Sequence, residues 1–344
     1  SVAEKSTGNI MLGAGFSSSE GLVLSGSVSQ SNVFGTGNRL SAQINSGSVN
    51  TVYALSFTNP YYTIDGISLG YDVYRRDVDS SSLSNTGYFE NSTLGLGVRF
   101  GLPVNERDFI SLGASYEQNS VKVDGTSPSQ WRNFVTTYGN DNDTLRLDGS
   151  WARDSRDNFL FPTRGLLQRV AAEIGTPVGS LQYYKLSLQH QQYFPLGRDF
   201  TFMLNGELGF GDGLSGKPLP FFKNFYAGGV SSVRGFESGT IGPKDPTTGD
   251  ALGGNKRVVA NAELFFPVPG LKDDKAFRMS AFLDAGASFG SSETFDIGSL
   301  RYAAGVSLLW VSPLGPLKFS LAQPLVEKTG DKTEVFQFSL GSVF

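Results

Sequence analysis

The chain has 344 residues, with 28 lysine and arginine residues against 32 aspartate and glutamate residues and a net charge of −4. It contains no cysteine and one histidine, which excludes a disulfide scaffold, a thiol nucleophile and a multi-histidine metal site. The acidic balance argues against nucleic acid as a partner, because nucleic-acid binding requires a basic surface.

The dominant period of the sequence is two. Between Phe200 and Phe210, a mostly apolar set of side chains alternates with a mainly polar set, the pattern of a strand with one apolar face. The stretch from Leu300 to Val311 repeats this pattern. Sixteen such strands are predicted, at 8–17, 20–30, 37–47, 50–59, 66–76, 87–101, 108–121, 143–155, 165–175, 182–194, 199–211, 256–266, 275–288, 299–311, 316–326 and 332–344. No stretch shows convincing helical periodicity.

The connections between these segments alternate in character. Those after even-numbered segments are short and often carry proline, as at Pro60 and Pro267, which stops a strand because it cannot donate to a ladder. Those after odd-numbered segments vary widely in length. No apolar run is long enough for a membrane helix, but alternating membrane strands leave no such run. The pattern predicts an all-β protein, a 16-stranded antiparallel transmembrane β-barrel, over a soluble β-sandwich protein, for which no linker is visible.

The connection at residues 211–255 is too aromatic for a solvated linker, so we expect it to pack inside the polar lumen. It contains the run Val233, Arg234, Gly235 and Phe236. A guanidinium inside a lumen needs a carboxylate partner. The lumen faces of the next two strands offer Glu263 and Asp284. A solvated surface charge remains the alternative for Arg234 at this point.

Two stretches resemble the Omp85 superfamily. The run 233–236 together with 237–243 is similar to the signature loop of that superfamily, and 312–317 together with Phe336-Gln337-Phe338 is similar to its outer-membrane assembly branch. The resemblance covers 8–344. It implies a sixteen-stranded barrel whose sixth long loop enters the lumen, where Arg234 pairs with acids on the twelfth and thirteenth strands, here Glu263 and Asp284.

The resemblance also implies a lateral seam between the first and last strands, 8–17 and 332–344. Glycine weakens strands, and both segments contain it: the candidate seam residues are Gly8, Gly13, Gly15, Gly341 and the terminal Phe344. A chain that ends on phenylalanine in an alternating strand also carries a folding signal typical of outer-membrane barrels. The alternative for Gly13 and Gly15 is that they only face a crowded lumen.

Members of the assembly branch carry periplasmic POTRA domains before the barrel. Residues 1–7 are therefore interpreted as a linker remnant of that region, and 8–344 as the barrel, with 211–255 as its sixth loop. The resemblance implies an integral protein of the bacterial outer membrane that folds and inserts outer-membrane proteins by strand templating at the seam. Its partners would be the lipid bilayer, unfolded barrel proteins and accessory lipoproteins of the assembly complex, and it would need no cofactor, metal or enzymatic chemistry. A polypeptide secretion pore or a porin is the alternative.

Overall fold

A computed structural model describes residues 7–18, 20–83, 85–270, 276–312 and 315–341. The strands in this part of the chain are β1 (Gly8–Ser17), β2 (Gly21–Gln30), β3 (Arg39–Ser46), β4 (Asn50–Asn59), β5 (Ser68–Asp79), β6 (Glu90–Pro103), β7 (Asp108–Lys122), β8 (Asp141–Asp154), β9 (Gly165–Gly175), β10 (Tyr183–Leu196), β11 (Phe200–Gly213), β12 (Gly235–Phe236), β13 (Lys256–Phe266), β14 (Phe277–Phe289), β15 (Arg301–Ser312), β16 (Gly315–Val326), β17 (Thr333–Glu334) and β18 (Phe336–Leu340). All of them except β12 and β17 form one closed antiparallel barrel in which β1 meets β18. The predicted fold class is confirmed.

The barrel is polar inside and apolar outside, the reverse of a soluble protein. On β14, Ser280, Asp284 and Ser288 are buried towards the lumen, whereas Leu283 on the opposite face is half exposed. Successive side chains of a strand point to opposite faces, so the apolar set forms a continuous outer belt. Such a belt is the surface that a barrel presents to lipid.

The two ends of the barrel differ, and we call them the loop end and the turn end. The loop end carries the connections after β1, β3, β5, β7, β9, β11, β14 and β16, and the turn end carries those after β2, β4, β6, β8, β10, β13 and β15 and the start of β1. The connection after β11, residues 214–255, is called loop 6 below. The described parts of the connections contain 3-10 helices at Val33–Gly35, Ser80–Ser82, Phe221–Lys223 and Ile297–Ser299.

One α-helix, α1 (Ser129–Tyr138), lies in the connection between β7 and β8. The expectation that no segment is helical was therefore wrong. Trp131 and Phe134 on its buried face pack against Phe221 of loop 6, with ring centroids 4.8 Å and 5.7 Å away. Tertiary contacts of this kind stabilise a helix too short to form alone. Among the described residues, no helix is long and apolar enough to cross a membrane.

The last predicted strand, 332–344, is interrupted in the structure. Its first part, β17, leaves the barrel wall and pairs inside the lumen with β12 of loop 6. The chain returns to the wall after Val335, and β18 then pairs with five residues of β16. Alternation indicates which face a residue occupies but not which strand it pairs with, so the sequence did not show this change of partner. Residues 1–6 and Phe344 lie outside the described residues.

Candidate functional site

Loop 6 packs into the lumen through apolar side chains. Ala227, Val233, Phe236 and Ile241 are almost completely buried. Their neighbours on the barrel wall and beside it are Ala287, Phe289, Leu300 and Ala303. Full burial of one valine, isoleucine or phenylalanine side chain contributes about 1.5–3 kcal/mol. The loop is therefore held by a small apolar core of its own as well as by charges.

Arg234 binds Asp284 through three hydrogen bonds. Its Nε donates to Oδ2 at 2.7 Å, its Nη2 donates to Oδ1 at 2.8 Å, and its backbone N–H donates to Oδ2 at 3.1 Å. Both side chains are buried from solvent, at 3% and 0% exposure. This two-pronged geometry requires a guanidinium, because an ammonium group cannot present two parallel donors.

Glu263 supplies a second carboxylate to the same arginine. Nη1 of Arg234 donates to Glu263 Oε1 at 3.2 Å and to Ser307 Oγ at 3.3 Å. The guanidinium carbon also lies 3.4 Å from the ring centre of Phe282, a cation–π contact. Lys318 adds a second positive charge within electrostatic range of Glu263. Removing one member of such a set leaves a buried charge without its partner, so the set is stable only when complete.

The strands place both acids in the lumen by alternation and register. Asp284 on β14 stands opposite Asn261 on β13, and the amide of Asn261 donates to Asp284 Oδ1 at 2.8 Å. The same amide donates to the carbonyl of Ser232 in loop 6 at 2.7 Å. Glu263 follows two residues after Asn261 on the same face. The contacts between Arg234 and both acids that were expected from the sequence are present in the structure.

The glycine of the motif permits a close approach. Gly235 has a φ of 87°, and a Cβ atom there would lie 3.1 Å from the Cβ of Ala322 on β16. Residues other than glycine rarely adopt this backbone conformation. Gly235 therefore allows the motif to turn against the wall directly after the arginine.

A second anchor of loop 6 was not anticipated from the sequence. Lys223 lies between the apolar cluster around Phe221 and the lumen wall, and its Nζ donates to Glu173 Oε1 on β9 at 2.8 Å. The same ammonium lies 3.9 Å from Glu117 on β7. Loop 6 is thus bound by one cation to β7 and β9 and by another to β13 and β14. The available signal was a lysine directly after two aromatic residues in a connection already expected to be buried.

The seam between β1 and β18 is short. The registered pairs are Phe16 with Leu340 and Ser17 with Ser339, whereas β1 and β2 share ten pairs. The backbone N–H of Ser18 also donates to the carbonyl of Phe338 at 3.1 Å. The rings of Phe16 and Phe338 stack on the outer face with centroids 5.3 Å apart. Towards the turn end, no described residue is registered with the outer edge of 8–15, and Leu12 there is 87% exposed.

The candidate seam glycines occupy different places. Gly15 and Gly341 meet at the seam, where the Cα of Gly15 lies 3.2 Å from the Cβ position of Gly341. Gly341 has a φ of 88°, a left-handed conformation that residues other than glycine rarely adopt. Gly13 and Gly8 lie further along β1 and pair with β2. The candidate glycines therefore form one close contact across the seam, between Gly15 and Gly341, and do not line both strands along their length.

The loops outside the barrel carry a separate ionic contact. Arg301 donates from Nε and Nη2 to the two carboxylate oxygens of Asp331, at 2.8 Å and 2.9 Å. Burial opposes ionisation of Asp331, but the hydrogen bonds and charge of Arg301 outweigh it and hold the pKa of Asp331 below its usual range. The contact joins the start of β15 to the connection between β16 and β17. No group of residues that could hold a metal ion occurs in the described part of the chain.

Comparison with known proteins places these features in a family. Residues 32–344 match the Omp85 superfamily domain. The whole chain is 40% identical to the outer membrane protein assembly factor BamA of Neisseria meningitidis serogroup B and 29% identical to that of Nitratidesulfovibrio vulgaris, of which it covers 48% and 42%. The chain thus spans about half the length of the curated relatives it matches. The crystal structure of BamA from Haemophilus ducreyi lacking POTRA domains 1–3 superposes with a TM-score of 0.93 and 29% identity, over 98% of this chain and 70% of that one.

Proposed function

The chain belongs to the Omp85 superfamily, and we propose that it is the transmembrane barrel of an outer-membrane assembly factor. In this role it is an integral protein of the bacterial outer membrane that folds and inserts other β-barrel proteins. The names of its relatives support this role, since the matched proteins from Neisseria and Nitratidesulfovibrio are outer membrane protein assembly factors.

The main support for the proposal is that β1 pairs only briefly with β18 among the described residues. Two registered pairs join it to β18, and the edge of 8–15 has no registered partner among the described residues. An exposed strand edge is a template for another strand. In lipid, each unpaired backbone N–H or C=O group costs several kcal/mol, so an incoming strand that pairs with this edge is strongly favoured.

The part of the β1 edge left without a described partner lies at the end of the barrel from which client strands would arrive. The pairs that close the seam involve Phe16 and Ser17 near the loop end of β1, and the edge that has no registered partner among the described residues extends towards the turn end. In outer-membrane barrels the short turns face the periplasm. A client strand that arrives from the periplasm therefore meets the free part of β1 first.

The proposed mechanism uses backbone pairing and no covalent chemistry. A client strand pairs with β1, further client strands add to it in turn, and the finished barrel separates when its own first and last strands pair. Each step exchanges one set of backbone hydrogen bonds for another, so no cofactor is required. Periplasmic POTRA domains preceding residues 1–7, and accessory lipoproteins bound to them, are the proposed partners that deliver clients.

A secretion pore or a porin is the alternative function. Loop 6 argues against it, because Lys223 and Arg234 bind its two parts to different sides of the wall and so hold the loop inside the lumen. A chain that passed through the lumen would have to break both anchors. Exchange at the seam leaves both anchors intact.

Reconstitution in lipid vesicles tests the proposal. The full-length protein should speed the folding of an unfolded outer-membrane barrel client, measured as the heat-modifiable band on a gel, and vesicles without it supply the control. In a planar bilayer the same protein should show no large stable conductance. Open-pore conductance without any acceleration of client folding would favour the transporter and contradict the proposal.

A further inference from the structure

We propose that Gln337 is a positioning residue that clamps the seam strand β18 to the loop-6 motif. The inference rests on the proposed function, in which a client strand replaces the pairs between β18 and β1. It concerns what holds β18 in place when its pairing with β1 is so short.

The side-chain amide of Gln337 binds the backbone of the motif through both its nitrogen and its oxygen. Its Nε2 donates to the carbonyl of Phe236 at 2.8 Å, and its Oε1 accepts from the backbone N–H of Gly235 at 3.3 Å. The same Nε2 donates to Glu334 Oε2 at 3.0 Å. Gln337 is 1% exposed, so water cannot replace these partners.

A short ladder reinforces this contact. Gly235 and Phe236 pair with Glu334 and Thr333, and the backbone N–H of Glu237 donates to the carbonyl of Lys332 at 3.0 Å. Residues 332–334, which lead into β18, therefore lie in the lumen beside loop 6 and not in the barrel wall. It rejoins the wall at Val335, whose carbonyl accepts from the N–H of Ala322 at 2.9 Å.

The clamp connects the seam to the arginine site. Arg234 is fixed to Asp284 and Glu263, and Gly235 and Phe236 follow it directly in the chain. Their backbone groups are the ones that Gln337 binds. A continuous set of contacts thus runs from β13 and β14, through loop 6, to β18, without passing through β1.

The physical consequence is a seam strand that is held from the lumen rather than from its neighbour. β18 has five registered pairs with β16 and two with β1. Because the clamp bears on β18 from the lumen side, the contacts with β1 can be exchanged for a client strand while β18 keeps its position. Gln337 therefore positions β18 for exchange, and without it β18 should become mobile.

Spin-label distances test the clamp in the full-length protein in lipid. The chain contains no cysteine, so Leu340→Cys on β18 and Leu147→Cys on β8 can carry the labels. We expect one narrow distance distribution in the parent and a roughly twofold broader one in Gln337→Leu, because β18 loses its lumen contacts. Ser339→Ala, which truncates an equally buried residue on the same face of β18, should leave the distribution narrow.

A second label pair and additional variants distinguish release of β18 from loosening of the whole barrel. A label pair at Val306→Cys on β15 and Leu147→Cys should stay narrow in every variant, which separates local release from loosening of the barrel. Gln337→Glu retains an acceptor but loses the donor and repels Glu334, so it should broaden the β18 distribution even if the leucine variant does not fold. Arg234→Ala should also broaden it, and the double variant with Gln337→Leu should be no broader than the single variants, since both break one set of contacts.

The proposed clamp is contradicted if the distance distribution of the β18 label pair stays narrow in both Gln337 variants. It is also contradicted if the distribution of the β15 label pair broadens together with that of the β18 pair. Client folding is measured separately with the unsubstituted protein. Absence of that activity would remove the proposed function and leave the clamp standing, whereas a narrow β18 distribution would remove the clamp and leave the function standing.

Discussion

The wall at β13 and β14 and the seam at β1 and β18 belong to one sheet but are built in opposite ways. β13 and β14 share eleven registered pairs, and their lumen face carries the buried acids that bind Arg234. β1 and β18 share two pairs, stacked rings and a close contact between two glycines. Arg234 of loop 6 is therefore anchored at a well-paired part of the wall, while strand exchange is expected at the junction with the fewest registered pairs among the described barrel strands.

Loop 6 links the two regions. At one end of its motif, Arg234 is fixed to the strong wall, and a few residues away the backbone binds the chain leading into β18. The wall at β13 and β14 can therefore hold β18 in place through loop 6 without adding pairs between β18 and β1. Removal of a single contact should therefore change one region and leave the other in place.

Loss of the arginine should have the largest effect on the strong region. Arg234→Ala leaves two buried carboxylates without their partner, and breaking a buried pair in this way costs about 3–5 kcal/mol. The barrel should still fold and remain heat-modifiable, because the strands pair independently of the loop. Limited proteolysis should cut the loop near Val233.

A surface pair provides the control for Arg234. Arg75→Ala removes an arginine from an exposed contact with Asp77 and should leave loop 6 protected. Arg234→Lys should restore protection only in part, since it keeps the charge but loses the two-pronged contact. A loop that stays protected in Arg234→Ala would show that its apolar core suffices to hold it.

Loss of the second anchor should release only the first part of loop 6. Lys223→Met removes a charged hydrogen bond to Glu173, which is worth about 1.5–3 kcal/mol. Cleavage should appear within 214–226 while the region around Val233 stays protected. Lys122→Met removes a lysine from an exposed pair with Glu90 and serves as the control. Equal cleavage near Val233 would mean that the two anchors do not act separately.

A methyl group at the glycine contact should weaken the seam further. Gly341→Ala forces alanine into a positive φ, which costs about 1–3 kcal/mol, and places its Cβ against Gly15. Gly139→Ala at the end of α1 has a similar φ of 83° but nothing within 4 Å of the added carbon. The rate of disulfide formation between cysteines at positions 16 and 340 should fall in the first variant and not in the second.

Acid should release the outer loop contact with the smallest effect. The pKa of Asp331 is lowered in the folded protein, so its contribution is fully present above the unfolded value of about 3.9 and is lost as the pH falls through the lower folded value. Asp331→Asn should therefore make the connection 327–332 more sensitive to protease than in the parent at neutral pH, because the two-pronged contact with Arg301 loses its charge. As the pH falls through the folded pKa of Asp331, pepsin cleavage should distinguish the variant from the parent less and less. A difference that persists or grows at low pH would contradict the sign of the shift.

The alternation of the sequence was enough to predict the barrel and the lumen positions of Glu263 and Asp284. The helix α1 was missed although Trp131, Phe134, Val135 and Tyr138 have helical spacing, because the apolar face is short and lies within a long polar connection. That spacing is the signal that could have revealed it.

Contacts across the lumen were beyond the reach of the pattern. Gln337 lies 101 residues from Phe236 along the chain, and Lys223 lies 50 residues from Glu173. A period of two gives the face of each residue but carries no information on which loop fills the lumen beside it. For the same reason, the step of the last strand from the wall to loop 6 at Val335 was not predicted.

If the seam must open for clients to fold, a disulfide across it should stop their folding. Phe16 and Leu340 are registered partners, and antiparallel partners are close enough for a disulfide. In the full-length protein, Phe16→Cys with Leu340→Cys should stop client folding when oxidised and restore it when reduced. Phe16→Cys with Leu22→Cys, which joins β1 to β2 instead, should leave client folding unchanged in both states. Undiminished client folding with the β1–β18 disulfide fully formed would contradict the account.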